Sequence, residues 1–214
     1  LRVRGVPGVE RADNLIVAFM NIQLPTGAEE GCLVYALTDF EGWNLPWAVN
    51  EGAVADLGRG RYMLMDRSAV RRFGPFAVGD YREVLGRRFK IIGTTSEAAS
   101  FTTAPIVFMD FDNAQELSQV LQGKTSYILV KTAPGADAQA VAAAIREVVP
   151  YNDVYTGAEW AQRSRSYWVV STGLGMNMGI TVFLGILVGI VVVAQTLYTS
   201  AVEHVKEFGT VKAI

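Results

Sequence analysis

The 214-residue chain has one cysteine, Cys32, and one histidine, His204. A single cysteine excludes a disulfide within the chain and leaves the redox compartment open. So few histidines and cysteines also exclude a zinc site built from them, and leave His204 as the one histidine a catalytic triad could use. The phosphate-binding loop GxxxxGK[ST] is absent, so any nucleotide used in the function is expected on another polypeptide. Net charge is only -2. That near-balance excludes the strong basic field that nucleic acid would need. Proline is missing after Pro150, and charge is missing from Ser166 to Val202, a run of 37 residues between Arg165 and Glu203. About 20 apolar residues cross a bilayer core as a helix, so this run predicts a membrane span. The other early uncharged run, Asn14 to Ala28, has 15 residues and contains Pro25 and Gly27, which points to a strand and a turn.

Residues 1–165 suffice for one domain with its own core, or two small ones. Short apolar runs bounded by turn residues predict strands at Leu15–Met20, Cys32–Leu37, Arg61–Met65, Phe89–Gly93, Pro105–Met109 and Ser126–Lys131. Asp66-Arg67-Ser68 opens a short helix that closes at Gly74-Pro75. Asp112, with Gln115 at capping-box spacing, predicts a helix ending at Gly123. Asp137 caps a further helix whose buried stripe is Val141, Ile145, Val148 and Val149, stopped by Pro150. Val154-Tyr155 reads as a last short strand. The sum is an α+β (mixed α/β) domain followed by a long transmembrane or stalk helix.

That helix starts at Thr156 and Glu159, again at capping-box spacing. Unbroken to about Lys206, it would measure roughly 75 Å and stand out of a bilayer about 40–45 Å thick. Trp168 and Tyr198 form a pair of interfacial aromatic anchors roughly 45 Å apart on such a helix. A break near Gly173 and Gly175, giving two shorter helices, is the alternative. Arg163 and Arg165 before the span and Lys206 and Lys212 after it leave orientation open on charge alone.

Gly185 and Gly189 form a GxxxG spacing inside the span, as Gly175 and Gly179 do beside it. The pattern suits close helix packing, or is chance in a glycine-rich segment. Asn177, Thr181 and Gln195 can hydrogen-bond between helices, and none is ionisable. Residues 59–90 hold Arg59, Arg61, Arg67, Arg71, Arg72, Arg82, Arg87, Arg88 and Lys90 against Asp66, Asp80 and Glu83. Such a run is a solvated surface more often than a site for anionic lipid or an acidic partner. The pairs Asp110/Asp112 and Asp39/Glu41 come without a nucleophile or ligand cluster, so no catalytic, cofactor-binding or metal-ligating residue is assigned.

After the span comes EHVKEFGTVKAI, Glu203 to Ile214, with Val205, Phe208 and Lys212 on one helical face. This segment resembles the cytoplasmic coupling segment of FtsX/MacB-like ABC transporter permeases of the DevC type, whose version runs close to E-x-G-T-L-K-A-I-G. Glu207, Gly209, Thr210, Lys212, Ala213 and Ile214 match, and Val211 replaces leucine. Upstream, YMLMDRSAVRRF (62–73), Val78-Gly79-Asp80, GRRFKIIG (86–93), Pro134-Gly135-Ala136-Asp137 and Val154-Tyr155-Thr156 with Glu159 are similar to the family's outer domain. Arg163, Arg165 and Tyr167-Trp168 before the span look DevC-like as well.

The resemblance implies a fragment of a four-span protein of the inner membrane. Residues 1–155 would be its extracytoplasmic α/β domain, 156–172 a stalk helix, 173–200 the transmembrane helix and 201–214 the start of the coupling helix. It places residues 1–165 outside the membrane. It implies a permease subunit of an exporter that is not itself an ATPase. Its partners would be a separate ABC ATPase subunit, a periplasmic adaptor protein and a second copy in a homodimer. Glu203, Glu207, Gly209 and Lys212 would contact the ATPase, and Gly185 and Gly189 would pack against other helices. No cofactor is implied. An FtsX-like regulator of an extracytoplasmic enzyme, or a single-span receptor with a ligand-binding outer domain, are the alternatives.

Overall fold

The computed structural model describes residues 2–98 and 105–204. The chain divides into two units, Leu1–Asn152 and Asp153–Ile214.

The first unit is built on a sheet whose pairings close into a ring. β1 (Val9–Gln23) and β2 (Glu29–Leu37) form an antiparallel hairpin in register from Ile16↔Ala36 to Gln23↔Glu29. β2 pairs in parallel with β7 (Ile106–Asp110), which lies antiparallel to β4 (Tyr62–Asp66). β4 runs parallel to β6 (Arg87–Thr95), and β6 turns back through Leu85-Gly86 onto β5 (Tyr81–Val84). β5 then reaches β1 at Ile22↔Val84 and Gln23↔Glu83, which completes the circuit. β3 (Val49–Glu51) is added to the end of β6. The first half of β1 pairs separately with β8 (Tyr127–Thr132). One long strand thus belongs to the ring at one end and to a separate antiparallel pair with β8 at the other.

Both faces of these strands are buried, because side chains alternate across a strand. Cys32, Val34, Met63, Met65, Val107 and Met109 share one apolar cluster with Phe73, Phe89 and Ile91. Their sequence neighbours Leu33, Leu37, Leu64, Ile106 and Phe108 join Phe40 and Leu57 in a second. Burial on two faces gives continuous apolar runs in sequence, and those runs predicted the central strands. β3 and β5, with sequences VNE and YREV, carry no such signal; both pair with β6, and β5 adds Val84 to the core.

Short helices seal the ring. Asp66 ends β4 in an extended conformation, and its carboxylate accepts from the Ser68 N–H at 2.9 Å, opening the turn into α1 (Val70–Phe73). α2 (Phe111–Leu117) corrects the predicted cap. Asp110, not Asp112, is the N-cap, accepting from the Asp112 N–H at 3.0 Å. The helix begins earlier because Phe111 turns into the core directly off the end of β7. It stops at Leu117, short of Gly123, since Ser118 is extended and the Gln115 amide bonds the Lys124 carbonyl. α3 (Ala138–Val148) is capped by Asp137 and buries Val141, Ala142 and Ile145. Val154-Tyr155, predicted as a last short strand, is irregular in the structure.

In the second unit, α4 (Gly157–Ser166) starts at a full capping box: Thr156 accepts from the Glu159 N–H, and the Glu159 carboxylate from the Thr156 N–H at 2.8 Å. The unbroken helix to Lys206 is not formed. A π-helical turn over Tyr167–Ser171 follows α4, and Gly173 sits at φ +73° in the left-handed region before α5 (Leu174–Glu203). Lack of a Cβ makes that conformation accessible to glycine at little cost. The π turn widens the ladder, with the Thr172 N–H reaching back to the Tyr167 carbonyl at 3.3 Å.

Candidate functional site

α5 is the one described helix long and apolar enough to cross a membrane, with a mean hydropathy of 2.5 over its best window. Its thirty residues keep their apolar side chains exposed throughout. Gly185 and Gly189 lie bare on its surface, where an added Cβ would touch nothing within 4 Å. No helix within the described residues covers them. Asn177, Thr181 and Gln195 stay on the same helix, and the hydroxyls of Thr181 and Thr196 donate to the carbonyls four residues back at 2.9 and 2.8 Å. Towards the C-terminal end, Gln195, Thr196, Thr199, Ser200 and Glu203 share one face of the helix. Glu203 is the last residue of α5. Glu207, Gly209 and Lys212 lie outside the described residues.

The entry to α5 is shaped by two glycines. Gly173 supplies the left-handed residue, and Gly175 permits close approach: a Cβ there would fall 2.5 Å from the Val169 carbonyl oxygen. Before the break, Tyr155 meets Trp160 at a tilt with ring centroids 5.9 Å apart and lies 5.0 Å under the Arg163 guanidinium, and Tyr167 meets Trp168 edge-on at 5.5 Å.

In the first unit the structure disperses the basic run of residues 59–90. Arg59 pairs with Asp56, Arg61 and Arg87 with Glu116, Arg67 with Glu51 and Arg72 with Glu30. Arg82 is buried and donates to the Tyr81 and Pro75 carbonyls at 2.9 and 2.8 Å, while Arg88 lies 4.2 Å over the Tyr81 ring. The run is therefore mostly surface ion pairs that tie segments together. The Asp-x-Ser and Val-Gly-Asp motifs are structural too. Asp66, fully buried, accepts from the Ser68 N–H and hydroxyl, the Thr95 hydroxyl at 2.9 Å and the Ala98 N–H at 2.8 Å. Asp80 accepts from the Ala77 N–H, and the Gly79 N–H and Asp80 carbonyl bracket Ile91 at 2.8 Å each.

The acidic pairs are accounted for in the same way. The Asp39 carboxyl is held below its usual range by hydrogen bonds from the Arg11 guanidinium and the Gly42 N–H. Burial alone would raise the Asp13 carboxyl, but bonds from Arg11, Trp43 and Arg4 bring it below the ordinary value. Burial raises Asp110, the α2 cap. Among the described residues no three His, Cys, Asp or Glu side chains gather where a metal could sit. Cys32 is buried in the core, its thiol pushed up to about 12 by desolvation, which makes it an inert structural thiol.

A ring-closed mixed α/β domain joined to an exposed apolar helix of span length is thus the class of molecule defined by fold and site. Residues 1–148 match the family model of the MacB-like periplasmic core domain, and the chain belongs to that family. The fold is similar to that of the periplasmic region of MacB from Actinobacillus actinomycetemcomitans. There the TM-score is 0.57 at 10% identity, over 77% of this chain and 79% of that one. It is also similar to the extracellular domain of the noncanonic ABC-type transporter YknZ from Gram-positive bacteria. The TM-score is 0.55 at 15% identity, over 72% of this chain and 83% of that one. No curated protein sequence gives a match.

Proposed function

We propose that the chain is part of an ABC transporter permease of the DevC type, working as an exporter subunit in the bacterial inner membrane. One observation carries this reading. A MacB-like periplasmic core domain is followed by an uncharged helix of span length whose last residue is acidic, Glu203. The core domain would face the extracytoplasmic side and engage an adaptor protein. α5 would cross the membrane, with residues 201–214 opening the cytoplasmic coupling helix. ATP would be hydrolysed on a separate subunit, and a second copy of the permease would complete a homodimer. Gly185 and Gly189 would pack against helices of the assembly, a reading supported by their open surface among the described residues.

On this reading, force from the ATPase enters at Glu203, Glu207, Gly209 and Lys212 and travels along α5 to the outer domain. The transmitting element is then two helices, α4 and α5, separated at Gly173, where one long helix was expected. The test uses the full-length permease reconstituted with its ATPase. Replacing Gly209 with tryptophan puts bulk at the proposed contact, and ATP turnover stimulated by the permease should fall at least about tenfold, the effect of about 1.4 kcal/mol. Unchanged stimulation, with the variant still inserted in the membrane, would remove this coupling role.

A further inference from the structure

The segment ahead of α5 carries features that a stalk in water does not need. Tyr167 is 57% exposed, Val169 50% and Val170 73%. Trp160 is exposed as well, and Arg163 and Arg165 both point to solvent. No acidic residue occurs between Glu159 and Glu203, and the Glu159 carboxylate is engaged by the Thr156 N–H. Neither arginine has an ion pair among the described residues. Apolar and aromatic side chains interleaved with exposed arginines, one of them lying over the Tyr155 ring, form an amphipathic surface of the kind that settles at a lipid headgroup layer.

Helix length fixes where this surface meets the membrane. α5 has 30 residues, about 45 Å at 1.5 Å per residue. That equals a bilayer with both headgroup layers, about 40–45 Å. With Tyr198 at one interface, a hydrocarbon core of about 20 residues ends near residue 178. The break at Gly173 then falls within the opposite headgroup layer. A straight helix would lift Trp160 roughly 27 Å above the core boundary. The π turn and left-handed Gly173 interrupt the helix at the level where phosphates lie, so residues 157–171 need not follow the α5 axis.

We propose that residues 157–171 bind the anionic headgroup surface of the leaflet at the N-terminal end of α5. Arg163 and Arg165 contact lipid phosphates, while Trp160, Tyr167 and Trp168 sit among the headgroups. The chemistry is that of a diester phosphate on a surface, read by guanidinium groups held beside aromatic rings. The inference rests on α5 spanning the bilayer and on no other part of the proposed function.

Hydrogen exchange on the full-length chain in nanodiscs tests it, with pure phosphatidylcholine compared against phosphatidylcholine containing phosphatidylglycerol. Amides of 157–171 should exchange roughly tenfold more slowly in the anionic discs, within the combined effect of two arginines worth about fivefold each. The R163Q/R165Q variant should lose this difference and R163K/R165K should keep most of it. Equal exchange in both lipids overturns the proposal, as does full protection in R163Q/R165Q. Slowing by soluble glycerol phosphate, or by an acidic polypeptide in zwitterionic discs, overturns it in favour of a free anion or a protein partner. Amides of 178–198 report the underlying assumption separately: if they exchange freely in both discs, α5 does not span.

Discussion

At the scale of single residues, Asp66 does the most within the core domain. Its carboxylate stands at 0% exposure and ties the end of β4 to the Ser68 turn, to Thr95 at the end of β6 and to the backbone at Ala98. Hydrogen bonds to a charged group contribute about 1.5–3 kcal/mol, and removing the acceptor strands several buried donors. Asp66→Ala should therefore destabilise the chain by about 3 kcal/mol, read as a shift of the chemical unfolding midpoint in detergent. Ser68→Ala, which leaves the carboxylate and its other donors in place, should cost about 1 kcal/mol. Equal losses from both would mean that the carboxylate is not the centre of the network. The residue pattern Asp-x-Ser was visible in the sequence. Its reach to Thr95 and Ala98 was not, because those partners lie about thirty positions away and meet Asp66 only through the β4–β6 pairing.

Among elements, the junction between α4 and α5 sets the behaviour of the second unit. The missing proline and the capping box at Thr156 predicted one long helix, and the capping box is present. The continuity fails because Gly173 takes the left-handed region while the Val169 carbonyl closes over Gly175. A non-glycine residue in that conformation costs about 1–2 kcal/mol, whereas alanine in place of glycine favours helix by about 1 kcal/mol. Gly173→Ala should shift the junction towards an unbroken helix. Spin labels at Ala161 and Val182 would report this as a distance moving towards the about 31 Å of 21 helical residues. An unchanged, shorter distance would show that the π turn alone maintains the break. α2 teaches the same lesson on a smaller scale: spacing pointed to Asp112, and the turn of Phe111 into the core made Asp110 the cap.

On the scale of the whole molecule, topology is the property that most directly separates the proposed permease from a soluble arrangement. Cys32 is buried with its thiol pushed up to about 12, so the unaltered chain should stay silent towards a membrane-impermeant maleimide. Tyr151, 100% exposed at the end of the core domain, is a clean site for a new cysteine. Tyr151→Cys should label in intact cells, and Glu203→Cys only after permeabilisation. The reverse pattern would invert the proposed orientation, and labelling of both in intact cells would exclude a span between them. By itself the sequence determined the central strands, the helix caps at Asp66, Asp137 and Thr156, and the span-length apolar run. Each of these is written in local periodicity or in residues no more than a few positions apart. Only the tertiary structure decided that β1 serves two sheet regions, that β3 and β5 exist, that the basic run dissolves into ion pairs and that the long helix breaks. Those features depend on partners far apart in the chain, or on a choice of backbone conformation at Gly173 that composition leaves open.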